Sequence, residues 1–230
     1  LPAAIDIGTS SVKLLQIGQD PRGELWVAAI DREPYFAPAD QGIMVRQKEA
    51  LKKIVERNRL SGDVTISLSA REVQIYNLVF PNMTDQESRE AIRYKLVQLK
   101  PFGLDINQVE FRYLKSDGFL AKKSTQQRYL VVCASKDVIQ QKIASFKEFG
   151  LKVTAVEFEP LALINISKLA GAPASAKDQL VLWFDMGARE SFLVIESGGL
   201  AHFVRTISLA SQNLTQQIQD MNLLLTETIT

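Results

Sequence analysis

Ala4-Ile5-Asp6-Ile7-Gly8-Thr9 and, far along the same chain, Trp183-Phe184-Asp185-Met186-Gly187-Ala188 read alike: apolar, apolar, Asp, apolar, Gly, small. Each phrase ends one apolar run and opens another. Each is followed by a further glycine-bearing turn, Gln19-Asp20-Pro21-Arg22-Gly23 after the first and Ser197-Gly198-Gly199 after the second. That pattern predicts a strand, a tight turn at small residues and a returning strand, twice over. Two copies at this separation imply a duplicated fold with a pseudo-twofold axis between its halves.

The residue types at the tips suit phosphate. Gly8 and Gly187 have no Cβ to hold phosphate oxygens away from main-chain N–H groups. Thr9, Ser10 and Ser11 add hydroxyl donors, Lys13 adds a point charge, and Ala188 keeps the second tip small. Asp6 and Asp185 are expected to face each other across a cleft and hold a hydrated Mg²⁺ beside the phosphates. Either Asp alone would be read as a turn cap. It is the repeated phrase that points to a polyphosphate, and neither a P-loop nor a Rossmann fingerprint occurs.

Between the phrases the chain changes rhythm. Residues 47–59 read as a helix with Leu51, Ile54 and Val55 on one face and Gly62 past its end. Val64, Ile66 and Leu68 alternate, and a strand from Val73 to Phe80 closes at Pro81. Thr84-Asp85-Gln86-Glu87 has the form of a capping box, opening a helix that buries Ile92, Leu96 and Leu99 and stops at Pro101. Strands follow at 109–114 and 128–134. A helix from about Ser135 then carries Ile139, Ile143 and Phe146 on one stripe, and a strand runs from Lys152 to Phe158. This order suggests an α+β insertion at 63–157 within a body that begins at 1–62. Residues 158–178 return to the core through the linker-like Gly171-Ala172-Pro173-Ala174-Ser175-Ala176, and 179–230 start a second core subdomain. There Leu180 to Phe184 is a continuous apolar run, expected of a strand covered on both faces. Leu214, Ile218 and Met221 share one helical face.

Composition excludes several classes. Apolar residues make up 46% and charged residues 23%, an ordinary globular balance. A formal net charge of +1 gives no overall field for nucleic acid or an anionic membrane. With Cys133 and His202 the single members of their types, no intrachain disulfide forms and no usual metal-ligand spacing exists. Cys133 reads as a buried small hydrophobe, and His202 has no acid–base partner in sequence. Trp183 reads as packing, and Tyr94, Tyr113 and Tyr129 as core edges. Lys122-Lys123 looks like a solvated loop tip. Glu157 and Glu159 are expected as surface carboxylates, with Glu159 placed at the core junction where it would position water or metal. No residue is assigned as catalytic.

At these residues the sequence resembles the actin-like ATPase superfamily, and within it the PilM family of type IV pilus assembly; FtsA, the cell-division relative, is a more distant match. Asp6-Ile7-Gly8-Thr9-Ser10-Ser11-Val12-Lys13-Leu14 is similar to the family's first phosphate loop. Asp185-Met186-Gly187-Ala188, with Phe203-Val204-Arg205 and Leu214-Thr215, is similar to the second. Ile92 to Phe102 and Phe149 to Pro160 are also similar. The chain departs from the family at Arg189 and Glu190, where small or hydroxyl residues are common, and at Ala210-Ser211, where a glycine pair is usual. The resemblance implies an α/β, actin-like (ribonuclease H-like) ATPase fold with an inserted α+β subdomain and a truncated second half. It implies ATP and Mg²⁺ with weak or no turnover, and a cytoplasmic scaffold held at the inner membrane through partners. The partners it implies are the N-terminal peptide of a PilN-like inner-membrane protein and other platform components, without nucleic acid or direct membrane insertion. Met221-Asn222-Leu223-Leu224-Leu225 looks like such a peptide but reads more simply as a helix end. The departures raise an alternative, a degenerate platform protein of the type II secretion kind that no longer binds nucleotide. A sugar kinase of the superfamily fits poorly, for lack of a sugar-binding carboxylate motif.

Overall fold

The first phrase opens an antiparallel meander, β1 (Ala3–Ile7), β2 (Ser11–Gln19) and β3 (Leu25–Pro34). Helix α1 (Ile43–Asn58) then leads to β4 (Gly62–Leu68), which joins the other side of β1 in parallel. The computed structural model describes residues 2–35, 42–116, 125–169 and 179–229; the Gly171–Ala176 linker and Lys122-Lys123 lie outside them.

Next come β5 (Val73–Pro81), α2 (Asp85–Leu99), β6 (Val109–Ser116), β7 (Gln126–Ser135), α3 (Lys136–Lys147) and β8 (Leu151–Phe158). Residues 63–157 divide between two sheets. β4 and β8 pair in parallel, giving a five-stranded sheet in the order β3-β2-β1-β4-β8, while β5-β7-β6 form a separate antiparallel sheet. Helix α4 (Glu159–Leu169) precedes the second meander, β9 (Val181–Met186), β10 (Ser191–Ser197) and β11 (Leu200–Ile207), which ends in α5 (Ser211–Ile229). Its order, β11-β10-β9, repeats β3-β2-β1.

Strand alternation assigns the faces. Ile5, Val12, Leu14, Val64 and Ile66 bury one face of the large sheet under Leu51 and Ile54 of α1 and Phe146 of α3. The opposite face carries Asp6 and Lys13, which sit opposite each other in register. In β7 both faces are used. Tyr129, Val131 and Cys133 meet Ile92 and Leu96 of α2, whereas Leu130 and Ala134 meet Phe192, Val194 and Val204 of the second meander. The α2 capping box forms as its sequence predicts, with Glu87 N–H donating to Thr84 Oγ1 at 3.3 Å and Thr84 N–H to Glu87 at 2.8 Å.

Four expectations are corrected. Leu99, seven residues on from Ile92 and so on the same stripe, is nevertheless 39% exposed, because it is the last residue of α2; Ile143 is 36% exposed, at the edge of the stripe that ends in buried Phe146. Tyr94 is exposed, two residues and so about 200° around the helix from buried Ile92. Strand β9 is not covered on both faces. Trp183 packs inward with its indole N–H on Glu196 at 2.8 Å, but β9 is a sheet edge and Leu182, Phe184 and Met186 face outward. Leu214, Ile218 and Met221 do align on α5, and that face is exposed too.

Candidate functional site

The two phrases fold into hairpins that match residue for residue. In the first, Asp6 pairs with Lys13 and Ile7 with Val12; Gly8 N–H donates to Ser11 O at 3.0 Å, leaving Thr9-Ser10 as the tip. In the second, Asp185 pairs with Phe192 and Met186 with Ser191; Gly187 N–H donates to Glu190 O at 3.0 Å, leaving Ala188-Arg189 as the tip. Glycine is required for packing at the second turn, where a Cβ on Gly187 would lie 2.4 Å from Glu190 O. The first is looser, with 3.1 Å from a Cβ on Gly8 to Ser11 O. The copies differ in charge: buried Phe192 stands where the first hairpin has Lys13.

In both hairpins the glycine carbonyl accepts donors from outside the turn. Gly8 O accepts the Tyr35 hydroxyl and the Gln47 side-chain amide, the latter at 3.1 Å. Gly187 O and Ala188 O accept the N–H groups of Ser211 and Gln212 at 3.0 and 3.1 Å. The second tip thus satisfies two of the orphan donors at the start of α5. The family departure Ala210-Ser211 sits at this joint, with Ala210 fully buried.

Asp6 lies at the centre of a polar cluster. Its Oδ2 is 2.9 Å from Lys13 Nζ and its Oδ1 accepts the Ser67 hydroxyl at 3.1 Å. Ser67 Oγ is also 3.5 Å from Glu159 Oε1. Burial pushes the Glu159 carboxyl up to about 8; the Asp6 charge and a hydrogen bond with Asp6 add to this, Lys142 opposes it, and Asp185 contributes from the second hairpin. Three carboxylates from β1, β9 and the head of α4 therefore share one electrostatic environment. Asp6 and Arg189 both act on the Tyr35 hydroxyl, which burial holds above its ordinary range. Arg71 Nε, from the one-turn helix Ala70–Glu72, reaches Glu190 Oε1 at 2.9 Å. The two tips thus lie near enough for charges on one to act on groups around the other.

The expected site residues are placed unevenly. Asp6, Gly8, Thr9 and Ser10 are half-buried at the first tip, and Gly187 and Ala188 are half-buried at the second. Lys13 and Asp185 are exposed, while Ser11 is only 2% exposed, which suits a structural hydroxyl better than a direct phosphate donor. Among the described residues no group of three or more His, Cys, Asp or Glu side chains is arranged to hold a metal directly. Cys133 is fully buried and burial pushes its thiol up to about 12, so it is inert.

Sequence reasoning underrated Glu159. Glu157 is exposed as expected, but β8 ends at Phe158 and Glu159 starts α4, turning its carboxyl inward. The usable signal was Glu-Pro directly after a strand, since Pro160 favours a helix start and an acid suits its first turn. Tyr35, Gln47 and Arg71 carried no sequence signal at all.

Comparisons with known proteins agree with this architecture. In three dimensions the chain matches a structure titled as the PilM–PilN type IV pilus biogenesis complex, with a TM-score of 0.72 and 20% identity, over 94% of this chain and 63% of that one. It also matches the cytoplasmic domain of EpsL, an inner-membrane component of the Vibrio cholerae type II secretion system, with a TM-score of 0.56 and 14% identity. That match covers 90% of this chain and 70% of the other. The chain thus spans less than two thirds of the first matched protein. No curated protein matches it in sequence. No described helix is long and apolar enough to cross a membrane. The fold is actin-like, and the family described as type IV pilus assembly protein PilM matches residues 4–228. Duplicated hairpins and family match agree: the chain belongs to the PilM family of type IV pilus assembly proteins.

Proposed function

We propose that this chain binds ATP with Mg²⁺ in the crevice between its two hairpins and acts as a cytoplasmic scaffold of type IV pilus assembly. The observation that carries the nucleotide reading is the identical register of the hairpins, with Asp6, Asp185 and Glu159 sharing one field between them. In this reading Thr9 and Ser10 contact the phosphates, and Lys13 leaves Asp6 for a phosphate oxygen while Asp6 and Asp185 hold the hydrated cation. Magnesium supplies charge neutralisation of the polyphosphate when bound. Glu159, protonated below about pH 8, offers a donor to the phosphate side. Nothing in the cluster argues for rapid hydrolysis, and the scaffold role needs none.

Its partner in this reading is the cytoplasmic N-terminal peptide of a PilN-like inner-membrane protein, and attachment through it keeps the protein peripheral to the membrane. A short apolar peptide in a groove between the core and the inserted unit is a physically economical tether. The subdomain division we propose keeps 63–157 as the insertion, with β4 and β8 shared between it and the core sheet.

Titration of Mg-ATP into the protein tests the nucleotide reading, with Lys13→Ala beside it. The Lys13–Asp6 pair is exposed, so its loss leaves stability almost unchanged. Affinity should fall roughly tenfold in the variant, as expected for one lost charge-assisted contact. Equal affinity removes Lys13 from the site. No binding by the parent protein supports the alternative, a degenerate platform protein; Phe192 in place of a second lysine and Glu190 at the second turn are the features that favour it.

A further inference from the structure

We propose that Tyr35 and Gln47 are positioning residues that hold the first hairpin tip open for an anion, an inference that rests on the polyphosphate reading above. In a closed two-residue hairpin the Gly8 carbonyl would accept the Ser11 N–H. Here that carbonyl instead takes the Tyr35 hydroxyl and the Gln47 amide at 3.1 Å, one for each lone pair. Tyr35 also donates its own N–H to Ser10 O at 2.9 Å, so one residue grips the tip twice.

Direction follows from peptide geometry. In a trans peptide the C=O and the next N–H point opposite ways. Gln47 lies on α1, over the face of the sheet that buries Val12 and Leu14. Gly8 O is therefore drawn toward that face, and Thr9 N–H is turned toward the other, where Asp6, Ser67 and Glu159 lie. The Tyr35 N–H bond to Ser10 O continues the pairing of β2 with β3 and fixes the far side of the tip against that strand. The second hairpin shows the same diversion by other means, since Gly187 O and Ala188 O are held by the first N–H groups of α5. At each tip the glycine carbonyl is tied back by outside donors, which leaves the N–H of the residue after it, Thr9 at the first tip, turned the other way. Burial keeps the Tyr35 hydroxyl protonated and hence a donor at any ordinary pH.

The test uses Tyr35→Phe and the double variant Tyr35→Phe/Gln47→Ala, titrated separately with Mg-ATP, inorganic tripolyphosphate and adenosine. Hydrogen exchange of residues 8–11 is followed in the protein without nucleotide. Tyr35→Phe should weaken Mg-ATP and tripolyphosphate alike by ~5- to 10-fold, the scale of one neutral hydrogen bond, and the double variant by more. Adenosine affinity should not move, and exchange at residues 8–11 should change in the double variant without a change in the rest of the chain. Wild-type affinity for tripolyphosphate in the double variant, or unchanged exchange at the tip, overturns the positioning role and leaves the nucleotide reading standing. An equal loss for adenosine also overturns it, since it would mark general loosening. Failure of the parent protein to bind either phosphate compound sinks the nucleotide reading itself, and this inference with it.

Discussion

Substituting alanine for each of the two matched glycines should give opposite results, although the turns look alike in sequence. At Gly187 an added Cβ would sit 2.4 Å from Glu190 O, below the 3.0 Å that real Cβ contacts respect, so the backbone must move by at least 0.6 Å. The atoms that must move already hold two main-chain bonds, Gly187 N–H to Glu190 O and Ser211 N–H to Gly187 O, each 3.0 Å. Losing both costs ~2–3 kcal/mol at ~1 kcal/mol apiece plus strain. Restricting the unfolded chain returns ~0.4–1 kcal/mol. A net loss of ~2 kcal/mol should lower the midpoint of thermal unfolding by ~4–8 °C in a chain of this size. At Gly8 the corresponding contact is 3.1 Å, which a few tenths of an ångström relieves, and neither glycine has a positive φ. Gly8→Ala should therefore stay within ~0.5 kcal/mol of the parent. Thermal and urea unfolding followed by circular dichroism measure both. If the two substitutions cost the same, or Gly187→Ala is neutral, the coupling of the second turn to α5 is not what makes that glycine necessary.

Glu159 predicts a pH effect. Its folded carboxyl titrates near 8 against an ordinary 4.5, so between those values the folded protein holds a proton that the unfolded chain has lost. The contribution of Glu159 to stability is then largest below 4.5 and is lost as pH rises toward 8. The shift corresponds to at most ~5 kcal/mol, and water reaching the site should cut this to ~2 kcal/mol. Glu159→Gln, neutral throughout, should lack this fall; parallel stability profiles for parent and variant from pH 5 to 9 would refute it. Arg71 and Glu190 form a half-exposed pair at 2.9 Å between the one-turn helix Ala70–Glu72 and the second turn. A double-mutant cycle of Arg71→Ala and Glu190→Ala should give a coupling of ~0.5 kcal/mol that fades in high salt, and zero coupling at low salt would show the contact to be idle.

The elements with strong local chemistry were legible. Thr84 and Glu87 announced α2, and the period of Leu51, Ile54 and Val55 announced α1, though its start at Ile43 lies a turn earlier than the pattern showed. Side-chain exposure was read less well wherever it depended on what packs above an element. Leu180 to Phe184 has the composition of a strand covered on both faces, yet β9 turns only Trp183 into the core. Composition records what a strand tolerates, whereas the neighbouring layers decide what it buries. The 63–157 unit shows the same limit, because nothing in the alternation of Val64, Ile66 and Leu68 says that β4 pairs with β1 and not with β5.

The candidate site was half legible for a related reason. Repetition along the chain exposes what the two hairpins share, but function depends on where they have diverged. Asp6 and Asp185 occupy equivalent register positions, yet their cross-strand partners are Lys13 and Phe192. Lys13 is exposed and pairs with Asp6; Phe192 is buried, edge-on to Phe158 at 6.0 Å, and ties its hairpin to the layer shared with β7. One copy thus presents charge while the other anchors the fold. The residues that contact the hairpins and the Asp6 cluster, Tyr35, Gln47, Ser67, Arg71 and Glu159, come from five other places in the chain and share no spacing. A repeated motif reveals two matching turns; the residues that contact those turns are found by following the hydrogen bonds of their carbonyls.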